Sequence, residues 1–294
     1  MAVAFVGTKN LSSADEVPAA LSATDLVSAA NANEADLVLF GVPLDVTETF
    51  RPGCADGPDA IRSASDSIET YSPFSDRDLE EYRVVDLGNM AVSGRIEEDL
   101  SALERVFSGI ATRTCMLGGE HTISLAAVKA YARRYPGLMV VSLDAHTDMR
   151  DEYEGQKVNH ATWLRRALEI VPRENIVLLG VRAGTREEFN AGLLEMREDV
   201  EMTDATMERL TNAPAVYLTI DIDALDSPYV PGCGNPEPGG LHYKELEELV
   251  LWLGLSTNLV GFDLVEVAPR YDVSGITAVT AARVVRETIL AMMR

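Results

Sequence analysis

The chain is poor in lysine, cysteine and histidine, and it has no long apolar run. Only four of its 25 basic residues are lysine, against 47 Asp and Glu, which leaves a net charge of −22 over 294 residues. A nucleic-acid backbone asks for a basic surface, so this balance argues against nucleic acid as a partner. It speaks first to solubility and second to attraction of small cations. The three cysteines, Cys54, Cys115 and Cys233, are far apart and odd in number. That excludes a disulfide framework and predicts a reducing, cytoplasmic setting. No apolar stretch reaches the roughly 20 residues of a membrane span, and Met1 to Gly7 lacks the basic and long apolar regions of a signal peptide. No membrane partner is expected. Repeats, low-complexity segments and linkers are also missing, so one domain over residues 1–294 is predicted, with 47% hydrophobic residues to build its core.

What is present is an alternation of short apolar strands and amphipathic helices. Strands are predicted at Asp36–Gly41, Val84–Gly88, Thr114–Leu117, Leu138–Leu143, Asn175–Gly180, Ala215–Ile220 and Leu259–Leu264. Helices are predicted from Pro58 through Ser63, over Ile96–Ala111, Ser124–Arg134, Ala161–Ile170, Thr185–Glu198 and Lys244–Leu253, and from Gly275 to Met292. Thr185 with Glu188 three residues on reads as a capping box. The first 35 residues read as a strand, a loop and a short helix. Strands alternating with helices predict an α/β fold: a mostly parallel sheet with helices on both faces.

The polar residues with chemistry in them fall just past strand ends. Val140 to Leu143 run into Asp144, His146 and Asp148, spaced i, i+2, i+4. An extended backbone would put all three on one side. His121 follows the strand ending at Leu117, Asp221 and Asp223 follow the one ending at Ile220, and Glu266 follows the one ending at Leu264. Ligands of open α/β sheets bind at the carboxyl edge of the strands, so these groups are expected to converge. Carboxylates crowded together repel unless a cation stands between them. Two imidazoles with four carboxylates suit manganese or a similar divalent ion. A water shared by two such ions loses a proton near neutral pH and becomes a nucleophile. His242 reads as an exposed helix start, and the cysteines as structural.

Gly118-Gly119-Glu120-His121-Thr122, Asp144-Ala145-His146-Thr147-Asp148 and Asp221-Ile222-Asp223-Ala224-Leu225-Asp226 resemble the three signature motifs of the ureohydrolase family, the arginases and agmatinases. Gly41 to Asp45 with Arg51-Pro52-Gly53, the segment Pro231 to Leu241, and Val265 to Pro269 resemble further family segments in the same order. The resemblance implies an arginase-like three-layer α/β/α fold, two Mn²⁺ ions per subunit, and attack of a metal-bridging hydroxide on a guanidino group. It implies that Asp144 and Asp221 bridge the ions, that His121 and Asp148 complete one site and that His146 and Asp223 complete the other. Asp148 would also orient the hydroxide, Glu266 would pair with the substrate guanidinium, and His160 would shuttle protons. The family implies a homo-oligomer, trimer or hexamer. Two departures, Asp226-Ser227 where the family continues Asp-Pro and Gly234-Asn235-Pro236 where it reads Gly-Thr-Pro, fall in substrate loops and remove no ligand. The acidic stretch Met149 to His160 suits a small cationic guanidino substrate, agmatine, giving putrescine and urea. Arg150 and Lys157 leave arginine, guanidinobutyrate or formiminoglutamate as alternatives. A non-catalytic metal-binding scaffold is disfavoured because no ligand is missing.

Overall fold

A strand covered on both faces is apolar at most positions rather than at alternate ones, and the long central strands of the sheet are such runs. In the computed structural model of the chain, which describes residues 2–10, 16–17, 20–32 and 34–293, the strands of the main sheet are β1 (Lys9–Asn10), β2 (Leu37–Val42), β3 (Val84–Asn89), β4 (Arg113–Gly118), β5 (Met139–Leu143), β6 (Ile176–Leu179), β7 (Glu195–Arg197), β8 (Val216–Asp221) and β9 (Leu259–Val265). Their order is β7-β6-β5-β8-β9-β4-β2-β3-β1, and every neighbouring pair is parallel. The helices are α1 (Ala23–Ala32), α2 (Gly57–Ser65), α3 (Ile96–Gly109), α4 (Ser124–Arg134), α5 (Trp163–Ala167), α6 (Arg186–Phe189), α7 (Asp204–Thr211), α8 (Tyr243–Ser256) and α9 (Ile276–Met292).

The period-2 rule of a strand divides each run between two cores. Leu37, Leu39, Val141 and Leu143 join Ile61, Leu210, Leu253 and Ile289 of α2, α7, α8 and α9 on one face. Val38, Phe40 and Val140 join Leu26, Leu103, Val128 and Leu164 of α1, α3, α4 and α5 on the other. The result is the three-layer α/β/α sandwich. On the second face Phe107 packs edge-on against Phe40 and Tyr131, each at 5.6 Å between ring centroids. Four strands at the centre, β5, β8, β9 and β4, lie side by side, so their carboxyl ends bring four loops to one place.

Two expected helices are corrected. The one over Thr185–Glu198 stops at Phe189. Its capping box is present, but Gly192 takes φ +70° and turns the chain, after which Glu195–Arg197 adds to the sheet edge beside β6. The one over Ala161–Ile170 is a 3₁₀ turn at His160–Thr162, capped by Asn159, followed by the short α5. Helix α7 lies in a segment for which the sequence pattern raised no expectation. Asp204 opens it behind the cap Thr203, which accepts the Thr206 N–H. His242 is exposed and caps α8 together with Glu245, and the three cysteines are free and buried. Among the described residues no helix is long and apolar enough to cross a membrane.

Candidate active site

One cavity of about 330 Å³ opens at the carboxyl edge of the central strands, and His121, His146, Asp148, His160, Asp221, Asp223 and Glu266 all line it. Asp144 is buried beneath them. Its Oδ2 is 3.1 Å from Nδ1 of His121, and its Oδ1 is 3.7 Å from Nδ1 of His146. Nδ1 of His121 also faces Asp221 Oδ2 at 3.3 Å and Asp148 Oδ2 at 3.6 Å. Nδ1 of His146 lies 3.0 Å from Asp223 Oδ2. The groups therefore fall into two sets that share one residue, His121–Asp144–Asp148 and Asp144–His146–Asp223.

The backbone reaches this arrangement by different local routes. Asp144 leaves β5 directly, and its Oδ1 accepts the His146 N–H at 2.6 Å. The run does not stay extended to its end, contrary to the simple period-2 reading. A bend at Ala145 and a left-handed Asp148, φ +49°, carry the second carboxylate inward. Glu266 is left-handed as well, φ +66°. Such conformations cost about 1–3 kcal/mol for residues with a Cβ and persist where the surroundings over-determine them. Asp221 ends β8 and accepts the Asp223 N–H in a 3₁₀ turn. Glu266 accepts the His121 N–H at 2.7 Å, which ties the loop after β9 to the loop after β4.

The hydrogen bonds behind His121 decide which nitrogen faces the cavity. Thr219 donates to Asp263 Oδ1 at 2.5 Å, so its oxygen is left to accept from His121 Nε2–H at 2.9 Å. In the neutral ring, the form that binds a metal, Nδ1 is then the lone-pair nitrogen. It is buried and has no aligned hydrogen-bond partner among the described residues. A buried lone pair facing three carboxylates is an arrangement of acceptors only, and a cation satisfies all of them at once. The residues present therefore fit divalent metal. Thr219→Val is expected to weaken divalent-metal affinity roughly 10–100-fold, the usual cost of losing such a support, with the fold intact. Titration against a competing chelator measures it.

The electrostatics point the same way. Burial works against the imidazolium of His146, but Asp223 and Asp144 outweigh it and push the ring up to about 12. Burial likewise opposes charge on His121, yet Asp144 and Asp221 raise it well above the ordinary histidine value. Burial would raise Asp144, but His121 and His146 bring it down to about 2. Asp148 and Asp221 are pushed well up, by burial and then by the neighbouring carboxylates. Without a cation, protons do the work of holding these charges together.

Sequence reasoning passed over several residues that shape the site. Trp163 stacks on His121 with ring centroids 4.5 Å apart and donates its indole N–H to Asp148 Oδ2 at 3.0 Å. Glu120, inside a signature motif but given no role, accepts from the Val46 and Thr47 N–H groups and from the Thr47 and Thr122 hydroxyls. It fastens the loop after β2 over the site. Gly119 allows this, because a Cβ there would fall 1.9 Å from Leu44 O. Thr47 in turn holds His160. Its hydroxyl proton goes to Glu120, so its oxygen accepts from His160 N–H at 3.0 Å and faces His160 Nδ1 at 3.2 Å. Only the carboxylate-rich composition of the loop and the glycine pair hinted at these contacts.

The stretch Met149 to His160 is arranged differently from its composition. Asp151 turns to Arg166, at 2.6 Å, and Asp151, Glu152 and Glu154 do not line the cavity. Its acidic rim comes from Glu188 and Glu237 instead. Both Glu188 oxygens are taken, by Met149 N–H and Thr185 N–H. Glu237 is half-buried and stands 3.9 Å from His146 Nε2. Arg150 also lines the cavity, its guanidinium 4.8 Å over the Tyr153 ring.

A family model described as the arginase family matches residues 35–291. An agmatinase of Bacillus anthracis is 39% identical over 271 residues, which are 89% of this chain and 93% of that protein. An N(1)-aminopropylagmatine ureohydrolase of Thermococcus kodakarensis is 35% identical over 277 residues, 89% of this chain and 92% of that one. Among solved structures, the agmatine ureohydrolase of Thermoplasma volcanium superposes with a TM-score of 0.79 at 33% identity, covering 88% of this chain and 90% of that one.

Proposed function

This chain belongs to the arginase family, a hydrolase of guanidino C–N bonds, and we propose that its own substrate is agmatine, cleaved to putrescine and urea. The observation that carries this reading is the shared cavity. Glu266 lines the same space as the two sets joined by Asp144, under a rim to which Glu237 contributes a carboxylate. Asp144, Asp221, His121, Asp148, His146 and Asp223 would hold two divalent ions, Mn²⁺ by their donor chemistry. When bound, the ions supply an acidified water at neutral pH and polarise the carbon under attack.

The remaining steps belong to side chains. Glu266 pairs with the substrate guanidinium, a planar donor fork that a carboxylate matches. Asp148, held by the Trp163 N–H on Oδ2, orients the attacking water. Once water has added to the guanidinium carbon, the amine must take a proton before it leaves. His160 supplies it. Burial, with His146 and His121 adding to it, pushes His160 down to about 4, so the ring is neutral near pH 7 and free to pick up and pass on a proton. With Thr47 accepting at Nδ1, the other ring nitrogen is the one that exchanges it. Glu237 meets the ammonium tail.

A second reading, a guanidino acid such as guanidinobutyrate, rests on Arg150, whose charge also lines the cavity. A urea-release assay over agmatine, aminopropylagmatine, arginine, guanidinobutyrate and formiminoglutamate, with and without added Mn²⁺, separates these. The expected result is Mn²⁺-stimulated turnover with agmatine preferred at least about tenfold in kcat/KM, the scale of one well-placed charge contact. Turnover of arginine with little of agmatine overturns it.

A further inference from the structure

Glu266 receives the guanidinium in the function proposed above, but only half of its carboxylate is accounted for. Oε1 accepts the His121 N–H. Oε2 is buried and has no hydrogen-bond partner among the described residues. Glu48 approaches from the loop after β2. Its side chain is 1% exposed, and its Oε1 likewise has no partner among the described residues. An oxygen of Glu48 and one of Glu266 lie within 4.8 Å of each other.

The surroundings do not neutralise this pair. The Asn235 amide is 3.5 Å from Glu48 Oε2, at the limit of a hydrogen bond. His160 Nδ1 is 3.9 Å from Glu48 Oε1 and faces Thr47 more closely. The Cys54 thiol, within the same reach, is directed to Leu44 O. Gly234 closes the space, since a Cβ there would fall 2.8 Å from Glu48 Oε2 and 3.1 Å from Glu266 Oε2. Two buried carboxylates so placed do not both ionise cheaply, and one shared proton resolves the conflict. Burial above all raises both carboxyls, Glu48 to about 7 and Glu266 well above the ordinary value, and a guanidinium paired with Glu266 keeps that group ionised and leaves the shared proton on Glu48.

We propose that Glu48 is a positioning residue whose carboxyl group donates a hydrogen bond to Oε2 of Glu266. With the His121 N–H on Oε1, this pins both oxygens of the carboxylate and sets the face that meets the guanidinium. A neutral carboxyl in this place supports Glu266 without adding a second charge, the use made of protonated acids elsewhere in catalysis. The inference rests on the guanidinium reading of Glu266.

Glu48→Gln keeps a donor and cannot ionise, whereas Glu48→Met keeps the approximate volume and loses the donor. Guanidinium chloride titrated calorimetrically into the metal-loaded proteins reads binding without turnover, and kcat and KM for agmatine complete the test. Glu48→Gln is expected to bind guanidinium within about threefold of wild type. Glu48→Met is expected to bind it about tenfold more weakly and to raise KM by a similar factor, with kcat within about threefold, as for loss of one hydrogen bond to a charged group. Wild-type affinity in Glu48→Met reduces the residue to packing and overturns the proposal. A tenfold loss in Glu48→Gln makes it a second anion and also overturns it. If Glu48→Met does not fold by circular dichroism, the glutamine variant decides alone, wild-type affinity supporting the donor role. A wild-type protein that binds no guanidinium defeats the functional reading itself, and that result is distinct from a failure confined to the variants.

Discussion

Urea release falls by at least about three orders of magnitude in Asp144→Ala, the loss expected when metal-derived catalysis worth several kcal/mol is removed. The metal content falls with it. Asp144 is the only member common to both groupings, one oxygen turned to His121 and the other near His146. Its removal therefore damages both halves, whereas Asp223→Ala touches the His146 half first. Elemental analysis after gel filtration, run beside the urea assay, checks the pair of outcomes. An unchanged rate in Asp144→Ala refutes the site. The protein itself survives the change, because Asp144 lies at the carboxyl edge and the two cores on either side of the sheet do not include it.

Chelation of divalent metal lowers the melting temperature by roughly 15 °C at pH 7.5. Two ions each present at about a thousand times Kd add about 4 kcal/mol apiece, and a chain of this size shifts by roughly 2 °C per kcal/mol. The gap between metal-free and metal-loaded protein widens as pH rises, and the shifted groups give the sign. Asp148 and Asp221 have raised folded values, so their protonated forms stabilise the metal-free protein at low pH. That contribution is lost as pH climbs above the unfolded carboxylate value of about 4. His146 is raised to about 12, so its contribution is complete below about 6.5 and declines as pH climbs toward that value. Asp144, lowered to about 2, works in the opposite sense, but only on acidification below about 4. Between pH 5 and 8 the net direction is loss of stability in the metal-free protein. Calorimetric scans with and without chelator at three pH values measure it, and a gap that narrows with pH contradicts the assignment.

Element type was legible wherever one physical signal dominated. The runs at Leu37–Val42, Met139–Leu143 and Leu259–Val265 are mostly apolar and buried throughout because helices cover both faces, and the apolar spacing in α3 marks its one buried face. Element length was legible only where a cap and a stop coincided. Thr185 and Glu188 start α6 as expected, but nothing local reveals that Leu193, Leu194 and Met196 pack along the sheet edge instead of continuing a helix. Tertiary contact overrode propensity there. The candidate ligands were legible because their types and positions after strands are local facts. The residues that support them, Thr219, Trp163, Thr47 and Glu48, were not, because each acts on a group tens of residues away.

For the stretch from Asp144 to Asp148, the sequence alone determined the donor set and its place at the end of a central strand, since both follow from residue type and apolar pattern. The tertiary structure decided how those donors are aimed. Asp148 turns inward only through a left-handed backbone, and His121 presents Nδ1 only because Thr219, 98 positions along the chain, donates its own O–H to Asp263. Periodicity records which face a side chain leaves from. Protonation state and direction depend on neighbours that the fold brings together, and no local pattern encodes them.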